Sequence, residues 1–421
     1  IAGGGFDWVD LETDIADEIP RFGNVRRIVS YHNVQETPAE LEAIYARMCK
    51  QDADVLKIAV TAQHPTDNLR VLRLLRNAPK PTVAHCMGEI GFPSRILALK
   101  YGAPFIYAAF NKERNVAPGM PSFAEATGIY PVERIDAETK VFGVLGDPVA
   151  HSLSPLLHNR MFRQLGYNGV YLPFRVARGQ FDAFLSAFEE IPLSGYSVTI
   201  PHKEAAVRAA KVRDGTVELT RAANTLIREA NGFRAANTDY QAALDAITAS
   251  LPPEEDGSPP TLKGKQVLIL GAGGVSRSVA HALKQAGAHL TFTSRTLDRA
   301  TRLAEDVHGK AIDWKARHNG NYQILVNCTP IGMHPNVDET PIHASFLKPG
   351  LVVFDTVYTP ENTLLVKEAR ARGCFVVTGV EMFVRQAALQ FEMFTGKQAS
   401  LEDLREVLRR AISPVTYADA E

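Results

Sequence analysis

The stretch QVLILGAGGVSRS, residues 266–278, decides the fold. Gln266–Leu270 is an apolar strand pattern, the glycines follow at once, and a helical pattern then runs to Gly287 before the next strand, His289–Thr293. That is the strand–turn–helix–strand context a dinucleotide fingerprint requires. Gly271 permits the tight turn, and Gly273 lets the backbone approach a pyrophosphate at the helix N-terminus. Ala272, Gly274 and Val275 complete the loop expected to follow the cofactor, and the small residue Ser276 fills the third fingerprint position. A site for NAD usually offers an acid at the end of the second strand; here the residues are Ser294, Arg295 and Thr296, then Arg299. Guanidinium forks and hydroxyls suit a 2′-phosphate, so the expected cofactor is NADP. Plain solvation competes with that reading more for Arg299 than for Arg295.

Outward from this loop, the 421 residues suffice for two or three domains. Lys plus Arg number 46 and Asp plus Glu 47, which speaks against a polyanion-binding surface and hence against nucleic acid. No apolar run reaches the roughly 18–20 residues of a membrane span. The four cysteines are widely spaced without CxxC, which excludes a disulfide scaffold or a Cys-rich metal site, predicts no metal, and fits a reducing cytoplasm. The chain opens on Ile1 with no basic flank and apolar core of a signal peptide; the missing Met suggests a fragment or processed start.

Strand-like runs at Asp7–Leu11, Arg27–Tyr31, Val55–Val60, Thr82–Cys86 and Pro104–Ala108 alternate with helical patterns such as Pro38–Lys50 and Asp67–Arg76, which predicts parallel βαβ units. The segment Asn111–Thr139 reads as the end of a first domain plus a linker, and a new strand begins at Lys140–Leu145. The Pro-rich, acidic Ser250–Thr261 reads as an exposed loop, and two helical patterns, Met382–Phe394 and Leu401–Ala411, close the chain.

Polar residues cluster at strand ends. Ser154 and Pro155 read as N-cap and first helical residue, whereas Ser152 has no structural need for its hydroxyl. Lys203 follows the strand pattern Gly195–Thr199 and sits just inside a Pro-started helix, whose field disfavours a cation and prepares the amine for acid–base work. His202 reads as structural. Asn224, Thr225, Asn237, Thr238 and Asp239 complete the polar set, each with backbone capping as the plainer alternative. In the first domain, Lys57 lies inside the apolar strand VLKIAV, where burial favours the neutral amine that attacks ketones. His32, Asp10 and Glu12 lie at neighbouring strand ends.

From Lys140 onward the motifs HSLSP, SVTIPHKE, AANT, NTD, GAGGVSR, SRT, NCTPIGM, DTVYTPENT and EMFVRQAALQF resemble shikimate dehydrogenase. The resemblance implies NADPH-dependent reduction of 3-dehydroshikimate to shikimate. It implies that Ser152 and Ser154 hold the substrate carboxylate, that Thr199, Asn224, Tyr358 and Gln386 line the site, and that Lys203 with Asp239 is the catalytic pair. It places Asn327, Thr329 and Gly379 along the cofactor. Ser197, where many monofunctional members have Asn, resembles the bifunctional plant form. In the first domain, VDLE, SYHN, LKIAV and MGEIGFPSR resemble, in order, type I 3-dehydroquinate dehydratase. By that resemblance His32 is the general acid–base, Lys57 the imine lysine and Arg95 a carboxylate contact, with Asp10 and Glu12 supporting. Val116 and Met120 depart from the polar residues that the family shows around its APG segment.

The expectation is therefore an α/β protein with a partial (β/α) barrel, 1–137, N-terminally incomplete, and a two-lobe dehydrogenase. Its substrate lobe comprises 138–240 with 385–421, and its Rossmann lobe 241–384. Five strand units against the eight of a closed barrel predict weak dehydratase turnover. The alternative is a quinate/shikimate dehydrogenase with a non-catalytic first domain. Substrates are small molecules, and the sequence leaves the oligomeric state open.

Overall fold

The structure, a computed structural model, describes residues 5–111, 113, 117–191, 193–254 and 257–413. The chain forms two compact units, Ile1–Ala205 and Ala206–Glu421.

The first unit opens with a parallel sheet, β1 (Trp8–Glu12), β2 (Arg26–Asn33), β3 (Val55–Thr61) and β4 (Thr82–Met87), paired in chain order. Helices Leu41–Met48, Asp67–Arg76 and Phe92–Lys100 alternate with these strands. Successive side chains of a strand point to opposite faces, and paired residues share one. Val29, Leu56, Ile58, Val60 and Ala84 therefore line one buried face, while Asp10, Ser30, His32, Lys57 and His85 share the other.

The expected fifth strand, Pro104–Ala108, does not form; only Ala109 makes a single bridge, to Ser122. Pro104 has no N–H for a ladder. Phe105 and Tyr107 instead pack against Ile28, Val55 and Val83. The segment expected to be a linker is also structured. Ser122 and Glu125 form a capping box that starts the helix Phe123–Gly128. Beyond it, β5 (Lys140–Gly146), β6 (Gly169–Arg175) and β7 (Leu193–Val198) pair in parallel in the order β6-β5-β7.

The second unit contains β8 (Val212–Arg213), β9 (Thr225–Glu229) and β10 (Gly232–Ala236); β10 runs antiparallel to β9 and parallel to β8. Its main sheet comprises β11 (Gln266–Leu270), β12 (His289–Thr293), β13 (Lys310–Ala311), β14 (Ile324–Asn327), β15 (Val352–Asp355) and β16 (Phe375–Val377). The order β13-β12-β11-β14-β15-β16, all parallel, is the doubly wound Rossmann arrangement. Ile269, Phe292 and Val326 pack on one face, and Leu268, Leu270 and Val353 on the other. The helices Gly379–Thr395 and Leu401–Ile412 follow, joined by Arg405 to Glu381 at 2.6 Å. Among the described residues, no helix is long and apolar enough to cross a membrane.

Asp355 ends β15 in this core. Its carboxylate accepts hydrogen bonds from Thr363 Oγ1 at 2.6 Å, Asn327 Nδ2 at 3.0 Å and the Val357 N–H at 3.1 Å. Burial nevertheless pushes its pKa from 3.8 up to about 6. The folded state then binds more protons than the unfolded state between those values, so stability falls as pH rises through that window. At about 1.4 kcal/mol per pH unit, the loss is roughly 3 kcal/mol. Asp355→Asn is expected to weaken this pH dependence, so the melting-temperature difference between the two proteins should change between pH 4 and 7. A difference constant over that range would refute the assignment.

Candidate functional site

On the first sheet, Lys57 Nζ lies 2.8 Å from Asp10 Oδ2 and 4.7 Å from the centroid of the Tyr107 ring. The sequence suggests an isolated amine in an apolar strand; the structure gives it a carboxylate partner, because β1 and β3 both flank β2. Ser30 donates to the same Asp10 carboxylate. The His32 Nδ1 pairs with Glu12 Oε1, which leaves Nε2 as the ring nitrogen available to a ligand. Arg95 is 2% exposed; its Nη2 reaches the Pro118 carbonyl at 3.3 Å. Its Nε and Nη1 find no partner among the described residues, and burial lowers its pKa to about 10. A buried guanidinium with unpaired N–H groups is costly until an anion completes it, which suits a substrate carboxylate. Met120 follows the Pro118 turn, while Val116 lies outside the described residues.

In the rest of the first unit, the roles read for two serines change. Leu153 adopts helical torsions and takes the N-cap, so Ser154 is already the first helical residue and makes no capping bond. Ser152 Oγ instead accepts the Ser154 N–H at 3.3 Å. The buried Tyr171 hydroxyl lies toward Ser154 and Ser197, and His158 stacks on its ring at 4.3 Å. Thr199 follows β7, its N–H bonded to the Leu145 carbonyl at 2.9 Å. Lys203 is half-buried and itself opens the helix Lys203–Ala209, two residues after Pro201. His202 is structural: Nε2 lies 2.6 Å from the Val176 carbonyl, and the ring stacks on Phe181.

The loop that carries the two serines is tethered at its start. Arg175, the last residue of β6, donates Nε to Asp147 Oδ1 and Nη1 to Glu89 Oε2, each at 2.9 Å. Arg73 pairs with Glu190 at 2.6 Å, and the helix Phe92–Lys100 packs on β6.

In the second unit, Asp239 is buried in the first turn of the helix Thr238–Thr248. Asn224 Nδ2 donates to Asp239 Oδ1 and to Thr238 Oγ1, both at 2.9 Å, and Thr225 Oγ1 donates to Asn224 Oδ1. Gln390 Nε2 bonds the Asn224 carbonyl and Thr225 Oγ1, each at 3.0 Å. One turn earlier, Gln386 donates to the Phe383 carbonyl, and the Phe383 ring stacks on Tyr358. Asn237 serves structure, bonding Thr220, Ala222 and Ser278.

The glycine loop has the expected form. Gly271 has φ +106°, and a Cβ there would lie 2.8 Å from the Cys328 carbonyl oxygen. A Cβ on Gly273 would meet nothing within 4 Å, which leaves room for a phosphate before the helix Gly274–Gln285. The Gly273 N–H donates to Ser276 Oγ, so the serine in the third fingerprint position closes the loop. Ser294 closes a turn with Thr296, while Arg295 and Arg299 are exposed and make no ion pair among the described residues. Asn327 Oδ1 accepts from Thr329. Gly379 is required by packing, since a Cβ there would lie 2.4 Å from the Val357 carbonyl oxygen. Arg295→Asp is expected to raise the KM for NADPH about a hundredfold and that for NADH far less, by placing repulsion at the phosphate. Steady-state kinetics with both cofactors checks this, and an intact NADPH preference would remove Arg295 from the site.

Sequence reading missed Tyr107, His85, Tyr171 and Gln390. Only Gln390 left a signal, its spacing of one helical turn from Gln386.

Comparison with known proteins matches four family models: type I 3-dehydroquinase over residues 1–137, the shikimate dehydrogenase substrate binding domain over 144–226, shikimate/quinate 5-dehydrogenase over 256–329, and the shikimate 5′-dehydrogenase C-terminal domain over 379–409. The bifunctional 3-dehydroquinate dehydratase/shikimate dehydrogenase, chloroplastic, of Arabidopsis thaliana is 38% identical over 416 residues, covering 94% of this chain and 69% of that protein. Shikimate dehydrogenase (NADP(+)) of Methanopyrus kandleri is 39% identical over 65% of this chain and 96% of its own. The crystal structure of the Thermus thermophilus enzyme with NADP(H) and shikimate matches with TM-score 0.58 and 33% identity, over 65% of this chain and 99% of that one. Coverage of both halves by one relative, together with family models for each half, makes this chain a member of the bifunctional 3-dehydroquinate dehydratase/shikimate dehydrogenase family.

Proposed function

We propose that the chain catalyses two steps of the shikimate pathway: dehydration of 3-dehydroquinate to 3-dehydroshikimate, then NADPH-dependent reduction of 3-dehydroshikimate to shikimate. The observation that carries this is the match of one bifunctional relative across 94% of the chain. A non-catalytic first domain is not favoured, because Lys57, His32 and Asp10 share one face and Arg95 offers unpaired N–H groups. The expected weakness of the dehydratase rests on the strand count and on Val116 and Met120 in place of polar residues, whereas Lys57, His32 and Arg95 supply the chemistry locally.

In the first step, the Lys57 amine adds to the substrate ketone and water leaves, giving an imine. His32 takes the proton from the carbon beside it, the hydroxyl departs as water, and hydrolysis frees Lys57. Arg95 holds the carboxylate. In the second step, Ser152 and Ser154 hold the carboxylate, with Thr199, Asn224, Tyr358 and Gln386 lining the site. Lys203 protonates the developing alkoxide, and Asp239, oriented by Asn224, acts on the same oxygen. NADPH supplies the hydride. The open Gly271–Gly274 loop with Arg295 fits that cofactor, and Ser294, Thr296, Arg299, Thr329 and Gly379 are proposed along it.

The proposed division is 1–137 for the dehydratase, 138–240 with 385–421 for the substrate lobe, and 241–384 for the NADP lobe. The compartment is proposed as the reducing cytoplasm from the wide spacing of the four cysteines without CxxC; the Arabidopsis relative is named chloroplastic. The test is incubation with 3-dehydroquinate and NADPH. The expected result is NADPH consumption with shikimate as product. Reduction of 3-dehydroshikimate without use of 3-dehydroquinate would remove the first activity alone.

A further inference from the structure

We propose that His85 is a second histidine of the dehydratase site, touching the bound substrate from the side opposite His32. The proposal rests on the dehydratase reading above and goes beyond it. Register carries it: His32 pairs with Ala59, and Ala59 with His85, so the three form one row across β2, β3 and β4 on the face that bears Lys57. Lys57 lies two residues before Ala59 on the same strand and hence on the same face. The smallest side chain of the row stands next to the reactive amine, with an imidazole on each side. A ring held covalently at Lys57 and extending toward the C-terminal strand ends meets both.

The environment of His85 fits a ligand contact. The residue is 5% exposed, and no hydrogen bond to its ring is found among the described residues. Burial, together with the charges of Arg95 on the following helix, Lys57 on β3 and His32 on β2, pushes its pKa well below the usual 6.5. It therefore faces a ligand as a neutral imidazole, with one N–H donor and one acceptor. Its ring nitrogens are not among the fully buried polar atoms that lack a partner, so they open onto the space over the sheet, where a hydroxyl-bearing ring can bond them in place of water. His32 already has its carboxylate, Glu12, and suits proton transfer; His85 has none and suits positioning.

The test is borohydride trapping of the full chain with increasing 3-dehydroquinate. Mass spectrometry then reads the fraction of Lys57 converted to the secondary amine, and a thermal melt scores each variant for folding. In His85→Leu, the half-saturating concentration is expected to rise about tenfold, the size of one lost buried polar contact. Of His85→Gln and His85→Asn, each keeping one ring-nitrogen position, the one that keeps the bonding nitrogen should restore it to within about threefold, and the other should stay shifted. If the Leu variant does not fold, the Asn and Gln variants decide, one near the parent value and the other shifted. Unchanged half-saturation in every folded variant would overturn the role of His85 while the dehydratase reading stands. No adduct in the parent protein would overturn both.

Discussion

Lys203→Ala is expected to lower kcat for 3-dehydroshikimate reduction about a thousandfold while leaving KM within about threefold. General acid–base catalysis contributes roughly 10²–10⁴ in rate. Its loss falls on the transition state, where the ketone oxygen becomes an alkoxide, and little on the bound ketone. Lys203 opens its helix directly after the turn that follows β7. The backbone there is fixed by the Thr199 N–H to Leu145 and by the His202 ring to Val176, so the truncation should leave the surroundings in place. Steady-state kinetics with saturating NADPH reads the effect. An unchanged kcat would take the proton-transfer role away from Lys203.

Lys57→Ala is expected to abolish the borohydride adduct with 3-dehydroquinate and to reduce dehydration by at least about a thousandfold, while reduction of 3-dehydroshikimate stays unchanged. An imine lysine has no substitute, because among the described residues no other strand position on that face is a lysine. The two readouts separate the activities within one chain. Turnover that survives the substitution would require a route without a covalent intermediate. Loss of both activities would mark Lys57 as structural.

Most of this was legible in the sequence, and the exceptions have physical causes. The strand His289–Thr293 and the helix Asp67–Arg76 form at the bounds that periodicity suggests, since each has a clear pattern and clear stops. Pro104–Ala108 has the apolar composition of a strand, but its aromatic rings are used against the sheet face. Ser154 looks like a cap because Pro155 follows it, yet Leu153 takes the helical torsions one residue sooner. His85 was invisible for a different reason. Every residue of β4 is buried, so no polar alternation reveals which of them face Lys57; only register does. The Asn224–Asp239 pair was legible as two polar strand-end motifs, but their hydrogen bond needed the fold.

The Arg175 tether bears on how two enzymes came to share one chain. Residues 1–137 match one family and 144–226 another, yet the compact unit runs to Ala205 and does not stop at that seam. Glu89 from one ancestry and Asp147 from the other now share one guanidinium. Each exposed ion pair is worth at most about 1 kcal/mol, so the seam is held by several small contacts and the packing of the helix Phe92–Lys100 on β6. Cutting the gene at the seam would leave Glu89 without its cation and Arg73 without Glu190. In evolutionary terms the fusion has become difficult to reverse: each half now carries surface residues whose partners are encoded by the other.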